Sequence, residues 1–293
     1  PASGLAASGL AAPFNFKGGT FPGTGGTCTA TLAASATCTV IIRFTPTTAV
    51  VSTDTVDFAY NDGAFPQSVS RDVSGTGVTP AFLAISDSPN LDFGNVVRLT
   101  TKDLTLTITN SGQLQATGIS GTGLAAPFSY AGGTYPGTGG NCGTTLNAAA
   151  SCTIGVRFSP TVVGAKSDSL DLSYNNAVTT VVVSRGLVGT GVTPATLVVS
   201  NSPTYAFGTR AIGGSTDATL TITNTGGFQA TVIMGSGLNA PYSFKDGAYP
   251  GTGGTCTSSL ASTATCTIVI NYSPVAVATN TGTMTFNYFD GIT

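Results

Sequence analysis

Side chains able to carry chemistry are scarce in this chain of 293 residues, and the few present are regularly placed. Six cysteines stand as Cys28 and Cys38, Cys142 and Cys152, and Cys256 and Cys266, each pair spaced Cys-x9-Cys and following the previous one by 114 residues. Such pairs could bind zinc or form disulfides. A tetrahedral structural zinc site takes four ligands, whereas each repeat offers two cysteines and the chain contains no histidine. Several connectivities are open to six cysteines, but a bond between repeats would break their equivalence, so pairing within each repeat is expected. No cofactor or metal is implied.

Catalytic arrangements fare no better. A serine-type triad has no histidine to act as base, and the cysteines are accounted for as pairs. Among the carboxylates, Asp54 and Asp168 meet Gly282 at the third equivalent position, and Asp57 and Asp171 meet Thr285, so no acid is shared by every repeat. Asn61-Asp62 invites a calcium reading, yet its counterparts are Asn175-Asn176 and Phe289-Asp290, too few carboxylates for a clear site. Lys17, Lys102, Lys166 and Lys245 do not recur in all repeats, which disfavours a shared Lys–Asn isopeptide bond. The expectation is a protein that is not an enzyme.

A glycine-rich loop, FPGTGG from Phe21 and YPGTGG from Tyr135 and from Tyr249, resembles phosphate-cradling loops but lacks their lysine and following helix. It has two readings. One is a tight loop leading into the stapled strand. The other is an aromatic tip that touches a glycan or a neighbouring chain, with Phe21, Tyr135 and Tyr249 as contact candidates.

The elements that must position these residues follow from the repeat. GTGVTP at 75–80 recurs at 189–194, Phe93-Gly94 recurs as Phe207-Gly208, and the LTITN ending at Asn110 recurs ending at Asn224. Cys38, Val40, Ile42 and Phe44 alternate with Thr39, Ile41 and Arg43, a period of two that makes a strand; Cys152 to Phe158 and Cys266 to Tyr272 repeat it. Leu104, Leu106 and Ile108 alternate with threonines, and Val56, Phe58 and Tyr60 with Thr55, Asp57 and Ala59, the pattern of half-buried sheets. Asn61-Asp62-Gly63 and Asp290-Gly291 supply hairpin turns. No long amphipathic helix is predicted. Short strands separated by Gly, Pro and Asn turns predict an all-β chain of tandem immunoglobulin-like β-sandwich modules of about 114 residues, one disulfide each. The divisions are 1–80, 81–194 and 195–293, joined by links of little bending freedom.

Composition narrows the setting. Charged residues make up 8% of the chain and the formal net charge is -2, so Thr, Ser, Gly and Ala must cover the surface. No basic patch exists to hold nucleic acid, and no apolar run is long enough for a membrane-spanning helix. Regular disulfides point to an oxidising compartment, extracellular or at a cell surface.

The succession Phe-Gly, LTITN, Gly-Leu-x-Ala-Pro, Cys-x9-Cys and Phe-x-Pro-Thr, the last at Phe44–Thr47 and Phe158–Thr161, resembles the choice-of-anchor D repeats of bacterial surface proteins. These are related to Hydin-like immunoglobulin-like modules. The third repeat departs with Tyr272-Ser273-Pro274-Val275. The resemblance implies a β-sandwich in an exported protein that serves as a spacer or adhesive surface, and it transfers no catalytic residue.

By the period, Pro1 matches Gln115 and Thr293 matches Thr179, so the first repeat opens after two expected strands and the third stops before its last. Open sandwich edges of this kind require a filler. The sequence favours a window on a longer array over strand exchange with a neighbouring chain. The expected function is the shaft of an extracellular fibre or surface adhesin, self-assembling or continuing in the same chain. The alternative is a module that binds a glycan or surface receptor through the aromatic loops.

Overall fold

The computed structural model describes residues 1–292. Thr-rich, period-two segments become strands, with apolar positions turned inward and threonines outward. The first stretch contains β1 (Ala2–Ser8), β2 (Phe14–Phe16), β3 (Thr31–Leu32), β4 (Ile42–Phe44), β5 (Val51–Asn61) and β6 (Pro66–Thr76). They form one sheet in the order β3-β1-β5-β6 and a two-stranded sheet β2-β4.

The middle stretch is a two-sheet sandwich. Its strands are β7 (Leu83–Ile85), β8 (Asn90–Val97), β9 (Lys102–Asn110), β10 (Ala116–Thr122), β11 (Phe128–Tyr130), β12 (Thr145–Leu146), β13 (Ser151–Phe158), β14 (Gly164–Asn175) and β15 (Thr180–Val192). One sheet runs β12-β10-β14-β15-β8 and the other β11-β13-β9-β7. All neighbours are antiparallel except β15 and β8, which run parallel. Between the sheets lie Phe93, Phe128, Phe158, Leu106, Ile154, Leu170, Leu172 and Leu187, each fully buried. At about 1.5–3 kcal/mol for each large apolar side chain removed from water, this cluster is the main source of stability.

The last stretch has β16 (Leu197–Val199), β17 (Thr216–Asn224), β18 (Ala230–Ser236), β19 (Tyr242–Phe244), β20 (Ser259–Leu260), β21 (Thr265–Tyr272) and β22 (Thr285–Phe289). They build sheets β16-β17-β21-β19 and β20-β18-β22 around a second core centred on Ile222, Ile268 and Ala230. Among the described residues the chain is all-β and immunoglobulin-like, with a single 3-10 turn at Lys245–Gly247.

The count of strands before the position of Pro1 needs correction. The complete sandwich has three strands, β7, β8 and β9, ahead of Gln115, not two. The shortest, Leu83–Ile85, is only three residues long, and its alternation is too brief to separate from the following turn. Without a counterpart of β9 to pair with, the stapled segment of the first stretch is a strand only over Ile42–Phe44, whereas β13 extends over eight residues.

Both links are seated on the sandwich that follows. A Cβ added at Gly112 would come 2.1 Å from the Pro80 carbonyl oxygen, and one at Gly226 would come 2.0 Å from that of Pro194. The Thr79 N–H donates to Gln113 Oε1 at 2.8 Å, and the Gly227 N–H donates to Thr193 Oγ1 at 2.8 Å. Glycine at 112 and 226 is therefore a requirement of close backbone approach.

Candidate functional site

The repeated polar residues are the natural place to look for a site, and the structure gives the cysteines, asparagines and aspartates among them architectural partners. The cysteines are joined as Cys28–Cys38, Cys142–Cys152 and Cys256–Cys266, with Cα separations of 4.8, 4.9 and 4.8 Å. In the second and third pairs the second cysteine, Cys152 or Cys266, shares the inward face of the alternating strand, so the bond lies against the core; Cys38 precedes the short strand β4 and is half-buried. The N–H of Cys142 donates to the Thr153 carbonyl, and those of Cys28 and Cys256 do the same to Thr39 and Thr267.

The glycine-rich loop is laced onto the stapled strand. The Ile41, Gly155 and Val269 N–H groups donate to the carbonyls of Pro22, Pro136 and Pro250 at 2.8, 2.9 and 2.8 Å. The first glycine of the loop packs against that strand's backbone: a Cβ at Gly23, Gly137 or Gly251 would lie 2.2, 2.2 or 2.1 Å from the carbonyl oxygen of Ile41, Gly155 or Val269. Its φ values of +87, +87 and +86° add a second reason for glycine. The Gly137, Thr138 and Gly140 N–H groups donate to Thr134, Ala131 and Gly137 carbonyls, so they do not form an anion cradle.

Phe21, Tyr135 and Tyr249 are half-buried and packed edge-on, not presented as tips. Phe21 meets Phe16 at 5.8 Å, Tyr135 meets Tyr130 at 5.7 Å, and Tyr249 meets Phe244 at 5.5 Å. The Tyr135 hydroxyl donates to the Gly143 carbonyl at 3.3 Å. Burial pushes the Tyr135 and Tyr249 phenols up. Burial, helped by Tyr135 and Asp171, pushes Tyr130 up to about 12. The hydroxyls of Tyr130 and Tyr249 are buried without a hydrogen-bond partner among the described residues.

The carboxylates weighed for catalysis accept from backbone N–H groups or serine hydroxyls. Asp54 Oδ2 accepts from the Ala11 N–H at 2.7 Å, and Asp168 Oδ2 accepts from Ala125 N–H at 2.8 Å. Asp57 and Asp171 accept from the hydroxyls of Ser70 and Ser169. At the calcium candidate, Asn61 Oδ1 accepts from Gly63 N–H, while Asp62 Oδ1 accepts from Ala64 and Phe65 N–H, all at 2.8 Å. The Phe65 and Ala64 bonds lower the Asp62 pKa. Asn175 and Asn176 close the equivalent turn in the same way.

Sequence reasoning missed the role of Asn110 and Asn224, the buried polar residues among those described, each 0% exposed. Asn110 Oδ1 accepts from the Phe82 and Gly112 N–H groups at 3.1 and 3.0 Å, and its Nδ2 donates to the Leu114 and Leu146 carbonyls at 2.8 and 3.0 Å. Asn224 repeats all four bonds with Thr196, Gly226, Phe228 and Leu260. A signal was available: Asn110 follows Leu104, Leu106 and Ile108 in inward phase, where a polar residue must find partners or destabilise the fold. Tyr174 and Tyr288 form another such pair, their hydroxyls accepting from the Leu83 and Leu197 N–H groups at 3.1 and 3.3 Å.

Among the described residues no group of three or more His, Cys, Asp or Glu is placed to hold a metal, and no helix is long and apolar enough to cross a membrane.

Residues 85–185 match a family model described as HYDIN/CFA65/VesB-like, Ig-like domain. The match spans most of the middle stretch, which is therefore similar to Hydin-like immunoglobulin-like modules. Among solved structures, PapD-like domain 7 of human CEP192 is 15% identical, with 38% of this chain and 85% of that chain covered and a TM-score of 0.29. The VesB protease of Vibrio cholerae is 17% identical over 37% of this chain and 31% of that chain, TM-score 0.30. The secreted serine protease VesC of Vibrio cholerae is 13% identical over 70% of this chain and 50% of that chain, TM-score 0.29. At these scores the structural likenesses add nothing to the argument. No curated protein matches the chain.

Proposed function

We propose that this chain is a non-catalytic structural segment, part of the shaft of an extracellular fibre or surface adhesin built from tandem modules of the kind found in choice-of-anchor D repeats. The observation that carries the reading is where the repeated polar residues go: the cysteines form the staple, Asn110 and Asn224 tie strand ends together, and Asp54 and Asp168 hold a loop. A chain whose recurrent chemistry is all internal is suited to bearing load. The divisions at 80/81 and 194/195 fit the seated links, which limit bending and favour a rod. Few charges lower the repulsion between rods and favour self-assembly with identical chains or further modules of one chain.

The staples support a setting outside the reducing cytosol, extracellular or at a cell surface. Binding of a glycan or surface receptor through the aromatic loops is the rival reading, and the inward packing of Phe21, Tyr135 and Tyr249 weakens it. Co-sedimentation separates the two. The purified chain is expected to pellet as polymer alone, and Tyr135→Ala with Tyr249→Ala should leave pelleting intact. Saturable glycan or receptor binding by a monomer, lost in that double variant, would overturn the structural reading.

A further inference from the structure

Two valines of the middle sandwich are buried where its own architecture would leave them in water. Val96 in β8 and Leu187 in β15 point into the core. Side chains alternate along a strand, so Val97, one residue after Val96, and Val192, five after Leu187, fall in the outward phase of the same sheet. The two are register partners across the parallel pair of β15 and β8. They are 2% and 9% exposed all the same, yet neither belongs to either core cluster.

Their cover comes from the near end of the last sandwich. A Cβ added at Gly291 would lie 2.6 Å from Val97 Cγ2 and 2.8 Å from Phe228 Cδ1, so the turn after β22, the Val97 methyl and the Phe228 ring meet at one point. A Cβ at Gly227 would lie 3.0 Å from Val192 Cβ. Hydrogen bonds anchor the chain on both sides: the Arg98 N–H donates to the Val192 carbonyl at 2.8 Å, and the Ala195 N–H donates to the Asp290 carbonyl at 2.9 Å. Thr193 and Pro194 alone lie between these anchors, and Thr193 Oγ1 accepts from the Gly227 N–H. Modest contacts between domains usually permit hinge motion. A tether this short changes the balance, because it keeps the two surfaces at high effective concentration and little further entropy is lost when they close.

The residues that cover the valines are matched in size. By the period, Phe228 and Gly291 correspond to Leu114 and Ala177 of the middle sandwich, a larger side chain with none and a smaller one with a methyl. Ala177 sits in its turn at φ +77°, so what glycine supplies at 291, besides its φ of +101°, is room between Val97 and the ring.

We infer that Val97 and Val192 form a docking surface at the far end of the middle sandwich. Its partner is the near end of the last sandwich, presenting the Phe228 ring beside Gly291, and the joint locks the two sandwiches into one rigid body. This goes beyond the shaft reading, since a rigid pair of modules would serve a binding protein equally.

The test aligns the whole 293-residue chain weakly in a liquid-crystalline medium and compares residual dipolar couplings from the two sandwiches. The unaltered chain is expected to give one alignment tensor common to residues 83–192 and 197–289. Val97→Asp puts a charge into the joint from the outward face of β8, away from the core. It should split the common tensor into two of different magnitude and speed exchange of the Ala195 and Gly227 amides by about tenfold or more. Phe228→Ala, made in the other module, should do the same, with the amide shifts of Ile154 and Ile268 checking that both sandwiches stay folded. Two results would overturn the inference: separate tensors in the unaltered chain, or a common tensor that survives both substitutions. Neither readout depends on whether the chain forms filaments.

Discussion

Replacing Asn110 with alanine isolates the least replaceable polar contact in the middle sandwich. Its four hydrogen bonds tie the turn after β9 to Phe82, the residue just before β7, and to β12. Those to Gly112 N–H and the Leu146 carbonyl are fully buried, and water cannot reach them when the amide is gone. Each orphaned buried group costs about 1–3 kcal/mol, so the two together cost about 4 kcal/mol. The partly exposed Phe82 N–H and Leu114 carbonyl add less. Against a domain stability of about 5–15 kcal/mol, the variant should fold with a small margin. Asn110→Asp should be at least as damaging, because it keeps both acceptances but turns an oxygen toward the Leu114 and Leu146 carbonyls. Urea unfolding followed by circular dichroism gives the overall loss, and hydrogen exchange resolved by segment assigns it to residues 83–192. A loss below about 1 kcal/mol, or one spread evenly over the chain, would refute the reasoning.

Three further outcomes are expected. Gly121→Ala should destabilise the middle sandwich, because a Cβ there would lie 2.0 Å from Tyr130 Oη; adding Tyr130→Phe should restore part of the loss, as calorimetry of the double-mutant cycle would show. The first repeat already combines Ala7 with Phe16 at these positions. Raising the pH from about 10 to 12 should lower stability, since an unfolded tyrosine loses its proton near 10 while Tyr130 holds its own to about 12; at most about 2 kcal/mol is at stake for this residue, and a flat denaturation profile across that window would contradict it. Replacing both Cys142 and Cys152 with serine should cost about 3 kcal/mol through the lost chain restraint, and unchanged thermal unfolding would contradict it.

The sandwich was legible in the sequence because Thr-apolar alternation, regular turns and a fixed period are all local. The staples were legible for the same reason: Cys152 stands in phase with Ile154, Val156 and Phe158, and the structure puts all four on the core side. What could not be read was long-range. Leu83–Ile85 is too short to show a period, and its place is decided by pairing with β9 and by the Tyr174 hydroxyl. Asp54 and Asp168 looked like sporadic acids because their backbone partners, Ala11 and Ala125, lie 43 residues upstream in sequence. The aromatic rings at 21, 135 and 249 follow glycine-rich neighbours that suggest exposure, yet they turn in because Phe16, Tyr130 and Phe244 wait beside them. Only the pattern of Asn110 and Asn224 was present in the sequence and went unread.

Electron microscopy of the purified native protein, with and without reductant, tests the structural-shaft account most directly. The account predicts long regular filaments that fray when the staples are reduced. Dispersed short rods in both conditions would contradict it.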